Sequence, residues 1–330
     1  MVVLATDSFF MAMFFFLSGL FVWPSLVHKS PQVFLRDRLL RLGLPFAIAA
    51  LTIIPIAYYA ISLRQRPDIG FWWKTITIGP WPSGPVWFVW VLLFFDLTAS
   101  LLYRISPKLL DPINRLSLRG YDRPAEFWLF LVVVTAVLYI PALIYFGAAR
   151  WFSVGPFDVQ ASRVLFYAAY FYIGAGIGAA NFDHGLLSAD GRLAKSGWGW
   201  AIVTLVPYCL LWGLIGIKRE ILGNPGILPD WYEASYGLFF VVFSAAILFA
   251  ILGYFLREKQ SGWSILDPMQ SDAYGIFLIH YPIVLWIQYW LFDIDVPAVV
   301  KAVVAFVLTV ALSRAATAAL RKIPGATHVL

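Results

Sequence analysis

Long apolar stretches, separated by short polar connections, dominate the sequence. A bilayer's hydrocarbon layer requires ~20 apolar residues per helix, and most of the stretches have about that length. A transmembrane β-barrel would instead alternate apolar and polar positions over segments of ~10 residues. The pattern therefore predicts an all-α, polytopic transmembrane helix bundle. Nine spans are predicted, near residues 6–27, 42–63, 84–103, 127–148, 164–181, 197–217, 234–256, 271–292 and 296–319.

The composition agrees with this class. Hydrophobic residues make up 61% of the chain and charged residues 13%, with a mean hydropathy of +0.80, far outside the range of soluble domains. No low-complexity tract or extramembrane domain is evident, so we expect one integral-membrane domain over residues 1–330. Cys209 is the single cysteine, which excludes an intramolecular disulfide and a cysteine-based metal site, and we expect no bound metal.

The distribution of Lys and Arg predicts the orientation, because loops rich in these residues stay cytoplasmic. Four alternate connections, together with the C-terminal end, contain sixteen of them, whereas the other connections contain eight. The N-terminus is then outside and the C-terminus inside. The net charge of +6 is explained by this cytoplasmic rim and its attraction for anionic lipid, and we expect no nucleic-acid partner. The four connections are residues 28–41, 104–126, 182–196 and 257–270.

The connection at residues 64–83 is rich in Gly and Pro. These turn-forming residues disfavour a helix. We expect the segment to form an ordered cap on the outer side.

Polar residues within the spans are few, and such residues usually face a cavity or a partner. His280 lies near the middle of the eighth span. A neutral imidazole can accept a proton from a hydroxyl at physiological pH. The alternative is a structural histidine bonded to a neighbouring helix. Asp96 in the third span is open to the same two interpretations.

Three arginines, Arg36, Arg38 and Arg41, lie at the cytoplasmic start of the second span. The guanidinium fork suits phosphate groups, and Arg38 and Arg41 share a helical face. They therefore either bind a phosphorylated cosubstrate or anchor the helix at the membrane surface. The glycines of the fifth span, Gly174 and Gly178, have GxxxG spacing and predict close helix packing.

Four segments together resemble the acyltransferase-3 family of bacterial integral-membrane acyltransferases. They are residues 14–22 (FFFLSGLFV), 36–45 (RDRLLRLGLP), 84–90 (GPVWFVW) and 274–282 (YGIFLIHYP). The family includes polysaccharide O-acetyltransferases and succinyltransferase-like proteins of periplasmic glucan synthesis. Each motif is weak alone, but their order and spacing across nearly the whole chain are specific.

The resemblance implies acyl transfer from cytoplasmic acyl-CoA, commonly acetyl-CoA, to a hydroxyl of a sugar, polysaccharide or lipid-linked glycan across the bacterial inner membrane. It gives Arg36, Arg38 and Arg41 a role in binding the CoA cosubstrate, with no permanently bound cofactor. His280 becomes the candidate catalytic residue, either as the base or as a group lining the channel.

One departure from the family pattern concerns the first helix. The family has ten spans, and its first helix carries an arginine and a histidine regarded as the catalytic base. This sequence opens at Met1, directly before the segment that matches the family's second helix. We therefore expect residues upstream of Met1 to supply that pair. If Met1 is the true start, the chain is a degenerate enzyme or uses His280 as its base.

Other function classes fit a polytopic chain. A transporter or flippase often has paired broken helices in matching halves, and the sequence shows no such symmetry. The other membrane-bound O-acyltransferase superfamily would need a matching asparagine in a long loop, which is not evident. A non-catalytic receptor would be separated from an enzyme by assays of acyl-CoA hydrolysis or transfer.

Overall fold

The computed structural model describes residues 2–65, 81, 83–179, 184–223, 226, 228–258 and 270–323. These residues are mostly helical, and eight of the helical stretches are long and apolar enough to cross a membrane. The predicted all-α, polytopic class is confirmed. The cap predicted at residues 64–83 lies almost entirely outside the described residues.

Short π and 3-10 segments interrupt or precede several of the helices. In chain order the elements are α1 (Val2–Leu20), α2 (Val22–His28), α3 (Pro31–Arg38), a π-turn (Leu39–Gly43), α4 (Leu44–Ile48), a second π-turn (Ala49–Ile53), α5 (Ile54–Gln65), a 3-10 turn (Gly84–Val86), α6 (Trp87–Ile105), α7 (Asp111–Arg119), α8 (Pro124–Phe146), β1 (Trp151–Val154), β2 (Phe157–Gln160), a 3-10 turn (Ala161–Arg163), α9 (Val164–Gly178), α10 (Arg192–Lys195), α11 (Gly197–Gly216), a third π-turn (Ile217–Ile221), α12 (Asp230–Arg257), α13 (Ala273–Leu291) and α14 (Ala298–Leu320).

The described chain divides into two compact units, each built from three separate segments. Unit 1 contains Met1–Phe34, Phe95–Trp151 and Gln160–Gln260, and unit 2 contains Leu35–Phe94, Phe152–Val159 and Ser261–Leu330. The expectation of one domain over residues 1–330 stays a prediction.

The fifth predicted span, residues 164–181, corresponds to α9. This helix has 15 residues, which gives a length of about 22 Å, short of a hydrocarbon layer of ~30 Å. Eleven of its 15 residues are buried. Protein rather than lipid therefore surrounds most of this helix.

Glycines allow α1 and α9 to pack backbone against backbone in unit 1. A Cβ atom on Gly174 would collide with the carbonyl oxygen of Phe16, and one on Gly178 with that of Leu20. The contact is reciprocal, because Gly19 of α1 lies against the carbonyl of Phe171 in α9. The GxxxG spacing therefore serves helix packing, as the sequence predicts.

Aromatic rings fill the rest of the unit 1 core. Phe15 stacks on Tyr167 with ring centroids 5.0 Å apart. Tyr139 lies against both Phe166 and Phe240, at 5.3 and 4.9 Å. These rings join α1, α8, α9 and α12 through offset and edge contacts, which aromatic pairs prefer.

In unit 2, the part of the helical stretch Pro31–Arg64 that follows Phe34 packs against α13. The indole of Trp286 donates to the carbonyl of Ile56 (3.1 Å), and Arg64 pairs with Asp293 (2.7 Å). At the other end of α13, the guanidinium of Arg321, beyond α14, donates to Asp272 (2.8 Å). These bonds fix α13 at both ends.

A β-hairpin interrupts the otherwise helical fold between α8 and α9. Gly155 has φ +57° and precedes Pro156 in the two-residue loop, an order that suits a type II′ hairpin turn. The Asp158 carboxylate accepts from the backbone N–H of Ser83, and its carbonyl accepts from the indole of Trp90, both at 3.0 Å. The sequence pattern predicts only a connection here, because strands this short leave almost no periodic signal.

The α1–α9 contact makes a testable prediction. We expect Gly174→Ala to lower the midpoint of thermal unfolding in detergent, because overpacking costs about 1–3 kcal/mol. Gly213→Ala is the matched control, since Gly213 also lies within a long helix but has no neighbouring atom within 4 Å of an added Cβ. The control should be neutral or slightly stabilising. Equal midpoints for the two variants would contradict the packing argument.

Candidate functional site

The three predicted arginines lie in unit 2, where α3 passes into the first π-turn. Arg36 and Arg41 are exposed, and Arg38 is partly exposed. Arg38 and Arg41 are three residues apart and can act together, whereas Arg36 and Arg38 are two apart and do not face each other. On spacing alone Arg38 and Arg41 form a pair, and Arg41 lies within the π-turn itself.

A proline and a tyrosine fix the backbone under this pair. Pro45 has no N–H, so the carbonyl four residues earlier, that of Arg41, cannot receive the usual helical hydrogen bond. The hydroxyl of Tyr274, in α13, donates to this carbonyl at 2.8 Å. The arginine segment is thus attached to the helix that carries His280.

The ring of His280 has a defined orientation. Its Nδ1 lies 2.6 Å from the carbonyl oxygen of Phe277 and 3.2 Å from that of Ile276, both in the preceding turn of α13. Two carbonyl acceptors require a donor, so Nδ1 carries the proton in the neutral ring. Nε2 is then the unprotonated nitrogen, as a general base requires.

The arginine segment and His280 lie at different levels along α13. Tyr274, which bonds to Arg41, precedes His280 by six residues, and this spacing corresponds to about 9 Å along the helix axis. In the predicted orientation, His280 lies deeper in the membrane than the arginine mouth. A donor whose phosphates bind at the mouth would extend inward along α13.

The residue after His280, Tyr281, connects α13 to α5 and to the 3-10 turn that precedes α6. The hydroxyl of Tyr281 donates to that of Tyr58 at 3.3 Å. The Tyr281 ring also packs against Gly84, where an added Cβ would lie 3.0 Å from the ring. Gly84 has φ +49°, so its lack of a side chain serves both the backbone turn and the ring contact.

Asp96, the second polar candidate from the sequence, lies in unit 1. Its side chain is fully buried in α6, and its charge acts on Tyr172 of α9. The hydroxyl of Tyr172 lies 2.6 Å from that of Thr98. These two hydroxyls join α6 to α9 within unit 1, and Asp96 lies two residues before Thr98 in α6.

Comparison with known proteins identifies the family. A family model described as an acyltransferase domain, that of acyltransferase-3, matches residues 1–317. The chain belongs to the acyltransferase-3 family. No curated protein and no solved structure shows a significant match.

Membership of the acyltransferase-3 family indicates acyl transfer activity, and the apolar helices indicate a multi-pass membrane protein. The family match includes the arginine segment, α13 and His280. The resemblance that the four sequence motifs predict is therefore confirmed at the level of the family.

An ion pair that sequence reasoning missed lies in unit 1 of this acyltransferase-3 protein. Arg163 donates from both terminal nitrogens to the carboxylate of Asp7, at 2.9 and 2.6 Å. The Arg163 side chain is 7% exposed, whereas that of Asp7 is 54% exposed. The guanidinium also lies 5.0 Å from the ring centroid of Phe240. A nearly buried cation is thus neutralised by one carboxylate and an aromatic face.

The sequence contains one signal for this pair. Asp7 lies at the start of the first predicted span and Arg163 directly before the fifth, and alternating spans bring both to the outer side. Opposite charges at the same membrane level favour pairing, because an unpaired charge there is costly. In the count of Lys and Arg that predicts the orientation, Arg163 is only one of the basic residues of a loop. The count does not consider which acidic residue Arg163 pairs with.

The ion pair gives a second prediction. Asp7→Asn should lower the midpoint of thermal unfolding by several degrees, because loss of the carboxylate leaves a buried guanidinium without its counter-charge, a cost of roughly 1–3 kcal/mol. Glu126→Gln is the control, since Glu126 pairs with Arg123 in an exposed i,i+3 bridge that contributes little. A similar midpoint for both variants would show that the buried pair is dispensable.

Proposed function

We propose that the protein transfers an acyl group, acetyl in the first instance, from cytoplasmic acyl-CoA to a hydroxyl of a sugar, polysaccharide or lipid-linked glycan. We place it in the bacterial inner membrane, with the donor inside and the acceptor on the far side. The observation that carries the proposal is the bond between Tyr274 and the Arg41 carbonyl, because it attaches a phosphate-suited segment to the helix of an oriented histidine.

Arg38 and Arg41 serve the donor. Guanidinium groups form charge-assisted, often bidentate hydrogen bonds with phosphate oxygens. Both side chains reach solvent at least in part, as a site for a soluble cosubstrate requires. The CoA phosphates bind at this mouth, and the thioester end of the donor extends toward His280.

His280 serves the acceptor. Its Nε2 takes the proton from the acceptor hydroxyl while the hydroxyl oxygen attacks the thioester carbonyl carbon. The carbon–sulfur bond then breaks, the new ester forms, and the CoA sulfur leaves with the electron pair of that bond. The imidazolium proton passes to the thiolate, so the ring returns to its neutral form.

The role of the arginines has a direct test. Arg38→Ala and Arg41→Ala should each weaken acetyl-CoA binding roughly tenfold, because each removes hydrogen bonds to a charged group. Equilibrium binding of radiolabelled acetyl-CoA to the purified protein measures this change. Arg123→Ala, at an exposed arginine of another connection, is the control. Unchanged affinity in both site variants would contradict the donor role.

The role of His280 calls for two substitutions. His280→Asn keeps an amide N–H near the position of Nδ1 and should preserve folding, whereas His280→Gln places its amide near Nε2. Neither side chain is a base, so transfer of labelled acetyl to glycan should fall about 10²–10⁴-fold in both. Acetyl-CoA binding should persist. Full transfer activity in His280→Asn would contradict the role of His280 as the base. The ring would then have only a structural role, through the hydrogen bonds of Nδ1.

A further inference from the structure

A concave site lies in unit 1, where α11 ends and α12 begins. The cavity has a volume of about 350 Å³, within the range of small-ligand pockets. In the predicted orientation, this end of the two helices is the outer side of the membrane. We call this cavity the α11–α12 pocket. Its polar and aromatic lining consists of Lys218, Arg219, Tyr232, Glu233 and Tyr236.

Local structure explains why these side chains converge. Tyr236 lies four residues after Tyr232 and three after Glu233 in α12, so it is a neighbour of both on the helix surface. Lys218 and Arg219 belong to the π-turn Ile217–Ile221 that ends α11. Short π segments of this kind, also called π-bulges, occur frequently at functional sites.

Glu233 is the most informative residue of the pocket. It is 9% exposed, and a buried carboxylate is costly unless it is paired and hydrogen-bonded. Within the described residues its carboxylate forms neither a hydrogen bond nor an ion pair within 4.0 Å, and Lys218 is the cation whose charge acts on it. Its acceptor oxygens therefore remain available to a ligand in the pocket.

The two tyrosines form an aromatic wall beside this carboxylate. Their ring centroids are 6.5 Å apart and their planes differ by 14°. An aromatic face packs against apolar C–H surface while its hydroxyl keeps a polar handle. Rings next to an acceptor carboxylate suit a ligand with both C–H faces and hydroxyl donors.

The charges that line the pocket are balanced. Glu233 attracts a cation and repels an anion, and Lys218 does the opposite, so together they give no net attraction for an ion. Arg219 is already paired with Glu220 at 3.1 Å, so it adds little net attraction for an anion. An uncharged polyol meets no like-charge repulsion and supplies donors for the Glu233 oxygens.

We propose that the α11–α12 pocket binds a neutral saccharide, with Glu233 accepting hydrogen bonds from its hydroxyls and Tyr232 and Tyr236 packing on its ring. The identity of this saccharide as part of the acyl acceptor rests on the proposed function. The pocket is a docking site for the glycan, and no bond-forming step is placed in it.

The test uses three ligands with the same ring and different charge: glucose, glucuronate and glucosamine. Binding to the full chain in lipid nanodiscs is measured by saturation-transfer-difference NMR, because sugar-based detergents would compete. Glucose should bind more tightly than glucuronate and glucosamine. Glu233→Gln should weaken glucose binding roughly tenfold, since it removes a charged acceptor, and Glu126→Gln should leave it unchanged.

A second variant keeps the test decisive if Glu233→Gln does not fold. Ala148 is exposed and lines the pocket, so Ala148→Phe should fill the cavity without removing a polar group and should abolish glucose binding. Glucose affinity equal to wild type in the folded variants would overturn the proposal. Absence of glucose binding, or preference for glucosamine or glucuronate, would overturn it as well.

Acetyl-CoA binding in the same preparations, without sugar, separates this inference from the proposed function. Acetyl-CoA binding without glucose binding would overturn the saccharide pocket and leave the transferase proposal intact. Glucose binding that depends on Glu233, without acetyl-CoA binding, would do the reverse. Weaker glucose binding in Glu233→Gln, with unchanged acetyl-CoA affinity, is the expected result.

Discussion

The need to satisfy every backbone carbonyl in apolar surroundings governs unit 2. An unbonded carbonyl in a hydrocarbon environment costs several kcal/mol, so a donor from elsewhere stabilises a carbonyl that a proline leaves without its helical partner. Pro45 leaves the Arg41 carbonyl without its helical partner, and the Tyr274 hydroxyl replaces it. In the second π-turn, the indole of Trp81 donates to the carbonyl of Ala50 at 3.0 Å. Side-chain donors thus connect the irregular turns to the rest of the unit.

Backbone carbonyls also orient the candidate catalytic groups. The two carbonyls near Nδ1 of His280 assign the tautomer, and the attachment of Arg41 to α13 sets the level of the arginines relative to that ring. Neither arrangement requires a charged partner in the membrane, which would be costly. Hydrogen bonds to backbone carbonyls therefore set both the level of the arginines along α13 and the orientation of the His280 ring.

The sequence predicts the helices well because apolar length is a local property that each segment carries by itself. It also identifies His280 and the arginines, since a polar group in an apolar run is conspicuous. The pairing of Asp7 with Arg163 depends on which helices pack together, and no local pattern encodes that choice. The bonds from Tyr274 and Trp81 to the first two π-turns also join positions far apart in the sequence, so no local pattern predicts them. Glu233 is inconspicuous for a related reason, because its burial arises from the end of α11.

The close packing of α1 and α9 has a consequence for biogenesis. Asp7 and Arg163 are 156 positions apart, so α1 leaves the ribosome long before its glycine-lined partner exists. During that interval, the surface of α1 at Gly19, which later contacts α9, is in contact with lipid or with another helix. The carboxylate of Asp7 has no guanidinium to pair with. The short helix α9, once synthesised, enters a groove already prepared by α1. Docking of α9 on α1 therefore precedes the synthesis of α12, whose Phe240 completes the aromatic core of unit 1.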